Sequence, residues 1–474
     1  MQNTDRIWHF VDAKRKPYSD LSDRVWEIPE IAYTEYKSVA EHTAMLKAEG
    51  FRVTENIAGI PTAVMGEAGD GGPVIAILGE YDALPGLSQV AGIAEPKELV
   101  PGGHGHGCGH NMLGSAALLA ATGVKDWLAE KGLKGRVRYY GCPAEEGGAA
   151  KSFMVRAGLF KDVDIAICWH PAAFNKVGDA LSLANTRIDF TFHGRASHAA
   201  ATPHLGRSAL DAVELMSVGV NYMREHMPSE ARIHYAYLDA GGVAPNVVQG
   251  RAKVRYAIRA LTLPVMRQLI TRVRKIADGA ALMTECTVET KVISAVSNML
   301  DNTPLGDSMQ KHFERLGAPP WDQADIAYAK KIQATLTDED INASWARAGV
   351  SRNRDMPLCD MVVPRGLKGE MMIGSTDLGD VSWAVPTIEA RVGCHAVGTP
   401  GHSWQITAQG KVPAAHKGMV HAAKIMAAVA VDCLGDPALI ARAKADHAAR
   451  TTKTPYETPL PADCTPPIQP RPKG

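Results

Sequence analysis

The chain has 474 residues, 46% of them hydrophobic, and its 51 Lys plus Arg balance 51 Asp plus Glu. That length carries two or three domains and a large core, and zero net charge argues against a polyanionic partner such as nucleic acid. The eight cysteines lack the regular spacing of a disulfide framework, which points to reduced thiols and a cytoplasmic location. The start, MQNTDRIWHFVDAKRK, has no apolar run behind its charges and reads as neither a secretory signal nor an anchor. No later window reads as a membrane span of roughly twenty apolar residues.

Helical spacing marks residues 7–16 and 36–49, with Gly50 in the usual stop position. Short β-type runs follow at 62–67 and 74–78, and the second opens into GEYDALPG, so Glu80 and Asp82 stand at a strand end. The stretch GGHGHGCGHNMLG at 102–114 then gathers His104, His106, Cys108 and His110 in a glycine-rich loop before a helix over 112–128. Imidazole and thiolate are donors that borderline divalent ions prefer, and the glycines let several donors fold toward one point. A strand at 136–142 delivers Glu145 and Glu146 of GCPAEEGG, and another at 165–169 delivers His170. A metal hydrolase needs a carboxylate ligand and a carboxylate base, and this acidic pair can supply one of each. Strand ends that converge on acid, thiol and imidazole groups predict an open α/β sheet with its site at the carboxyl ends.

The middle changes character. A strand at 187–193, a turn-rich GRASHAAATPH, a helix at 208–226, strands at 233–238 and 247–260, a helix at 263–281 and a strand at 287–292 give the order β-α-β-β-α-β. That order is ferredoxin-like. It predicts a small α+β domain at 186–300 inserted into a larger one made of 1–185 and 301–474. Residues 302–354 show little beyond a helix at 305–316, and the motif-rich stretch from GSTDLGDVSW to GTPGHSWQ precedes a helix at 416–434. The tail after Arg450, with seven prolines, reads as extended on the surface.

DALP, the HGCGHN loop, PAEEGG, the WHP strand end, GRASHAA, PNVV and a late HS together resemble the M20 metallopeptidase family, in its amidohydrolase branch. Within that branch GTPGHSWQ and CGHN resemble the aminobenzoyl-glutamate utilisation protein B group. The resemblance implies an α/β fold: a mixed-sheet catalytic domain with an inserted ferredoxin-like lid and dimerisation domain. It implies two divalent ions per subunit, Zn or Mn with Co as a third option, held by Cys108, His110, Glu146, His170 and His402. Glu145 matches the general base, and Asp82 an acid that orients a ligand. His198 of GRASHAA matches a lid histidine placed at the oxyanion, often supplied by the other subunit. Asn246 and Arg259 match lid positions that hold a substrate carboxylate. The implied reaction is hydrolysis of the amide of N-aroyl or N-acyl amino acids, p-aminobenzoyl-glutamate among them, with N-acyl-amino-acid or small dipeptide hydrolysis as the alternative. The implied assembly is a homodimer through the lid, with a related heteromeric subunit as the other option, and a small-molecule amide as the substrate.

The sequence departs from the commoner pattern at Asn111, where an Asp usually follows CGH, and at Glu80, where an Asp usually stands. Other readings stay open from the residues alone. His395 competes with His402 as the late ligand, and Arg259 could pair with a core-edge carboxylate. Cys108 could act as a nucleophile with His110 as its base, or the chain could be a non-catalytic metal binder. His104 and His106 read as loop-shaping, and Cys142, Cys168 and Cys394 as packing thiols.

Overall fold

A computed structural model describes residues 3–367, 369 and 374–471. Helices α1 (Asn3–Glu27) and α2 (Tyr36–Ala48) precede strands β1 (Arg52–Glu55), β2 (Val64–Asp70) and β3 (Val74–Glu80). Helix α3 (His110–Lys131) then leads into β4 (Gly135–Cys142), and α4 (Ala150–Arg156) into β5 (Ile165–Ala172) and the short β6 (Lys176–Val177). The middle of the chain runs β7 (Ala184–His193), α5 (Ala209–Met223), β8 (Arg232–Asp239), β9 (Arg251–Ala260), α6 (Leu263–Met283) and β10 (Thr287–Val296). Helices α7 (Thr303–Leu316), α8 (Gln323–Gln333), α9 (Asp338–Ala348) and α10 (Leu378–Ala384) lead to β11 (Thr387–Gly393). The chain closes with α11 (Trp404–Gln409), α12 (Pro413–Gly435) and α13 (Pro437–Thr451).

Two sheets result. The larger is mixed, in the order β1-β2-β4-β3-β5-β11-β6. Strands β4, β3, β5 and β11 are parallel neighbours, so their carboxyl ends share one edge, where chain leaving a buried strand can present polar groups to a cleft. Helices α1, α3 and α12 pack on one another, and α3 and α12 pack on these strands. Helix α3 is buried along most of its length because Ala, Gly and Leu dominate it and let the neighbouring helices approach closely.

The second sheet has the order β10-β7-β9-β8, antiparallel throughout. Its two inner strands alternate in side-chain character: Ile188, Phe190 and Phe192 of β7 and Val254, Tyr256 and Ile258 of β9 are buried with α5 and α6 in a core of their own. The intervening residues face the other side.

Several elements differ from expectation. Helix α1 does not stop before Pro17 but continues to Glu27. Its buried stripe of Ile7, Val11, Tyr18, Leu21 and Val25 carries the helix across the one hydrogen bond the proline removes. The strand expected from 247 begins only at Arg251. Helix α12 is long and apolar enough to cross a membrane, contrary to the sequence expectation. Most of it is buried against the protein itself, so its apolar surface belongs to the core.

Candidate metal centre and its cavity

The loop ahead of α3 brings His110 to the first helical position, because Gly109 adopts a left-handed conformation with φ 80° as the cap. His110 is buried, and its Nδ1 lies 2.9 Å from Asp82 Oδ1 and 3.1 Å from the Asp82 carbonyl oxygen. Asp82 comes from the chain just past β3. Its Oδ2 accepts from the backbone N–H of Glu146, 2.9 Å away in the loop after β4. That loop turns sharply at Ala144, a non-glycine residue at φ 56°, whose N–H donates to Glu35 Oε1 at 2.8 Å. His402 also holds a left-handed φ of 54°, and its N–H donates to the Gly107 carbonyl at 3.1 Å, tying the late loop to the glycine-rich one. Strained backbone of this kind persists where the surroundings over-determine it, as at sites.

Donor atoms within 4.8 Å of one another form three groups: Cys108, His110 and His170; Cys108, Glu146 and His402; and Glu80, His110 and Glu145. The first two share Cys108 and together contain the five residues expected as ligands. His395 is buried and joins none of these groups. His104 also stands apart from them, while His106 is buried with Nε2 3.0 Å from the Val25 carbonyl, so it pins the loop to α1.

The donors fit a divalent cation by more than proximity. His110 Nε2 and Glu146 Oε1 are buried with no hydrogen-bond partner, an arrangement that a cation relieves and water-free burial does not. Nε2 does lie 3.1 Å from Glu80 Oε2, without hydrogen-bond geometry. Glu80 has its own counter-charge in Lys151, 2.6 Å away and fully buried. Burial pushes the Cys108 thiol up to about 12, with Glu146 adding to the shift, and burial holds His170 well below the ordinary imidazole range. The 3.4 Å contact between Cys108 Sγ and His170 Nε2 brings two of the candidate ligands together. A thiol of this kind ionises when a cation binds it.

Glu145 carries a carboxyl raised well above its usual range by burial and by the neighbouring charges of Glu80 and Glu146. It lines a cavity of about 650 Å³ between the two sheets, together with Cys108, Glu146, His170, His402 and Arg259. His198 and Asn246 do not line that cavity. Both are exposed, and they sit side by side, with the Ala199 N–H donating to the Asn246 carbonyl at 2.9 Å. Arg259 has no salt bridge among the described residues, against the alternative of a core-edge pair, and its Nε is buried without a partner.

The departures at Asn111 and Glu80 have structural reasons. Asn111 Nδ2 donates to Ser22 Oγ and to the Gly410 carbonyl, both at 3.0 Å, tying α3 to α1 and to the segment before α12. A carboxylate could not donate there. Glu80 is one of two carboxylates, with Asp377, that neutralise the buried Lys151. Lys151, Asp377 and Arg187 were not legible as site residues, because a lone basic or acidic residue in a short helix or alternating strand looks like any surface group.

The chain matches the model of Peptidase family M20/M25/M40 over residues 76–438. It is 46% identical over 474 residues to one of the two lettered subunits, the B chain, of the p-aminobenzoyl-glutamate hydrolase of Escherichia coli (strain K12), covering 97% of this chain and 98% of that one. Two solved structures share the fold. The aminobenzoyl-glutamate utilization protein from Klebsiella pneumoniae gives a TM-score of 0.59 at 16% identity, over 92% of this chain and 99% of that one. A dinuclear metal binding peptidase of the M20 family from Bacillus subtilis gives 0.57 at 18%, over 90% and 99%. The chain thus belongs to peptidase family M20/M25/M40 and is a hydrolase of amide bonds.

Proposed function

We propose that the chain hydrolyses the amide bond of N-aroyl or N-acyl amino acids of the p-aminobenzoyl-glutamate kind. The observation that carries this reading is the pair of donor triads sharing Cys108, in a chain 46% identical along its length to a relative named for that reaction. Cys108, His110 and His170 would hold one divalent ion, and Cys108, Glu146 and His402 a second, with Zn, Mn or Co all compatible with this mixed donor set. Bound there, such ions polarise the amide carbonyl and lower the pKa of water from about 15.7 toward about 7. Glu145 takes the proton of the attacking water and returns it to the departing nitrogen, which its buried, raised carboxyl suits. Asp82 holds His110 in the tautomer that leaves Nε2 free. Arg259 offers its unpartnered guanidinium to the substrate carboxylate.

In this reading residues 186–300 form a lid, and His198 and Asn246 serve the cavity of a partner chain, which their exposure outside their own cavity favours. The edge strand β8 and helix α5 expose Tyr235, Tyr237, Val218 and Tyr222, an apolar surface suited to a second subunit. That second subunit is another copy or, because the Escherichia coli relative is one of two differently lettered chains of its hydrolase, a related chain. A cytoplasmic setting fits the absence of disulfides among eight free cysteines. The test is a substrate panel of N-aroyl, N-acyl and dipeptide amides offered to metal-loaded protein. Fastest cleavage of the aroyl amino acids supports the reading, and preference for dipeptides overturns it.

A further inference from the structure

We propose that Arg187 is a specificity residue. Together with Arg259 it forms a pocket for two carboxylates, so the preferred amide releases an amino acid with an acidic side chain. The inference rests on the amide-hydrolase reading above and adds to it a residue that the family motifs do not single out.

The strand pattern supplies the geometry. On β7 the even-numbered Ile188, Phe190 and Phe192 are buried with α5 and α6, so Asn185 and Arg187 face the opposite side. On β9, Arg259 faces that same side. Asn185 pairs with Arg259 and Arg187 with Ala257, so the two arginines are diagonal neighbours beside a small alanine. Asn185, Arg187 and Arg259 all line the cavity that holds Glu145 and the candidate ligands.

Charge supplies the argument for a ligand. On the same face Arg255 is neutralised by Asp189 at 2.6 Å, and Asp189 also takes Lys253 at 2.6 Å. Among the described residues neither Arg187 nor Arg259 has a carboxylate within ion-pair distance. Arg187 donates instead to two backbone carbonyls, Gly147 at 2.8 Å and Glu146 at 3.3 Å. Those bonds fix the direction of its fork without cancelling its charge. Burial and the nearby charges of Arg259 and Arg255 work against this guanidinium, and Glu145 and Glu146 work for it. Arg259 Nε and Asn185 Oδ1, the latter in a side chain 8% exposed, are buried without hydrogen-bond partners. A guanidinium cannot shed its proton to escape burial, so two in a shared cavity with no carboxylate at ion-pair distance favour a ligand that brings two negative charges. Planar forks suit carboxylates. Arg187 is anchored on the carbonyls of Glu146 and Gly147, in the loop that carries the proposed base.

Two measurements test this. The first needs no turnover: calorimetric binding of glutarate and of butyrate to metal-loaded wild type, Arg187→Met and Arg187→Lys. Wild type should favour glutarate by about 10-fold or more, the worth of one charge-assisted contact. Arg187→Met should reduce that preference to within about 3-fold, and Arg187→Lys should keep part of it. The second compares kcat/KM for p-aminobenzoyl-glutamate and p-aminobenzoyl-glutamine. The glutamate preference should fall about 10-fold or more in Arg187→Met, through KM. Equal losses on both amides, with the preference unchanged, would overturn the proposal and leave Arg187 as a brace for the loop of Glu145 to Gly147. So would a wild type that binds glutarate and butyrate equally. If neither amide is cleaved but the glutarate preference exists and needs Arg187, the amide reading fails and the dicarboxylate pocket stands.

Discussion

His110 and Asp82 meet inside the core, with His110 Nδ1 2.9 Å from Asp82 Oδ1. A donor at Nδ1 matches this acceptor, which leaves Nε2 as the nitrogen turned toward the other donors. The other oxygen of Asp82 accepts from the Glu146 N–H at 2.9 Å. Asp82 thus orients an imidazole and the acidic loop together. Asp82→Ala should weaken divalent-cation affinity by about 10–100-fold, as read by metal titration of the purified variant. Unchanged affinity would contradict the orienting role.

Lys151 is fully buried between Glu80 and Asp377, and its backbone N–H also donates to Asp377 at 2.9 Å. Burial opposes its charge, yet Asp377 and Glu80 hold its pKa well above the ordinary lysine value. Lys151→Met leaves two buried carboxylates without a cation and should cost about 3–5 kcal/mol. Adding Asp377→Asn should recover part of that loss, a coupling that a double-mutant cycle in equilibrium denaturation measures.

His42 and His421 make stability depend on pH. Burial lowers both imidazoles from 6.5 to about 3. The unfolded chain takes up these protons near 6.5, and the folded chain does not until about 3. Stability is therefore full above about 6.5 and falls as pH drops below it, by about 1.4 kcal/mol per pH unit for each group. Urea midpoints between pH 7.5 and 5 check this, and His421→Gln should flatten the dependence by one such share.

His198 should act across subunits. Glu145→Ala and His198→Ala chains, each inactive alone, should regain roughly a quarter of wild-type activity when mixed equally and allowed to exchange at random into symmetric dimers. No recovery after demonstrated exchange places His198 outside the reaction or within its own subunit.

What was legible in the sequence followed from local chemistry. His110, Glu146 and His170 lie at or just beyond the ends of apolar runs, where a polar residue has few structural reasons to be, and the structure gathers them within one donor cluster or the next. The β-α-β-β-α-β order was legible because β7 and β9 alternate so regularly. Strand β11, TIEARVG, was missed although it carries the register partner of His170. It is a short strand, next to last in the sheet, with a buried Glu389 and a half-buried Arg391 that pair with each other, which breaks the apolar run a reader expects. Strand β6 has two residues and exists only through its neighbour. Arg187 and Lys151 were invisible for another reason: only the fold shows that one lacks a carboxylate partner and the other is enclosed by two.

The measurement that bears most directly on this enzyme is hydrolysis of p-aminobenzoyl-glutamate by protein stripped with a chelator and refilled separately with Zn²⁺, Mn²⁺ or Co²⁺, with Glu145→Gln alongside. Activity should vanish on stripping and return as about two ions bind per chain. Glu145→Gln should bind the same ions yet turn over about 10²–10⁴-fold more slowly. Undiminished cleavage by the stripped protein, or by Glu145→Gln, would contradict metal-assisted hydrolysis with Glu145 as the base.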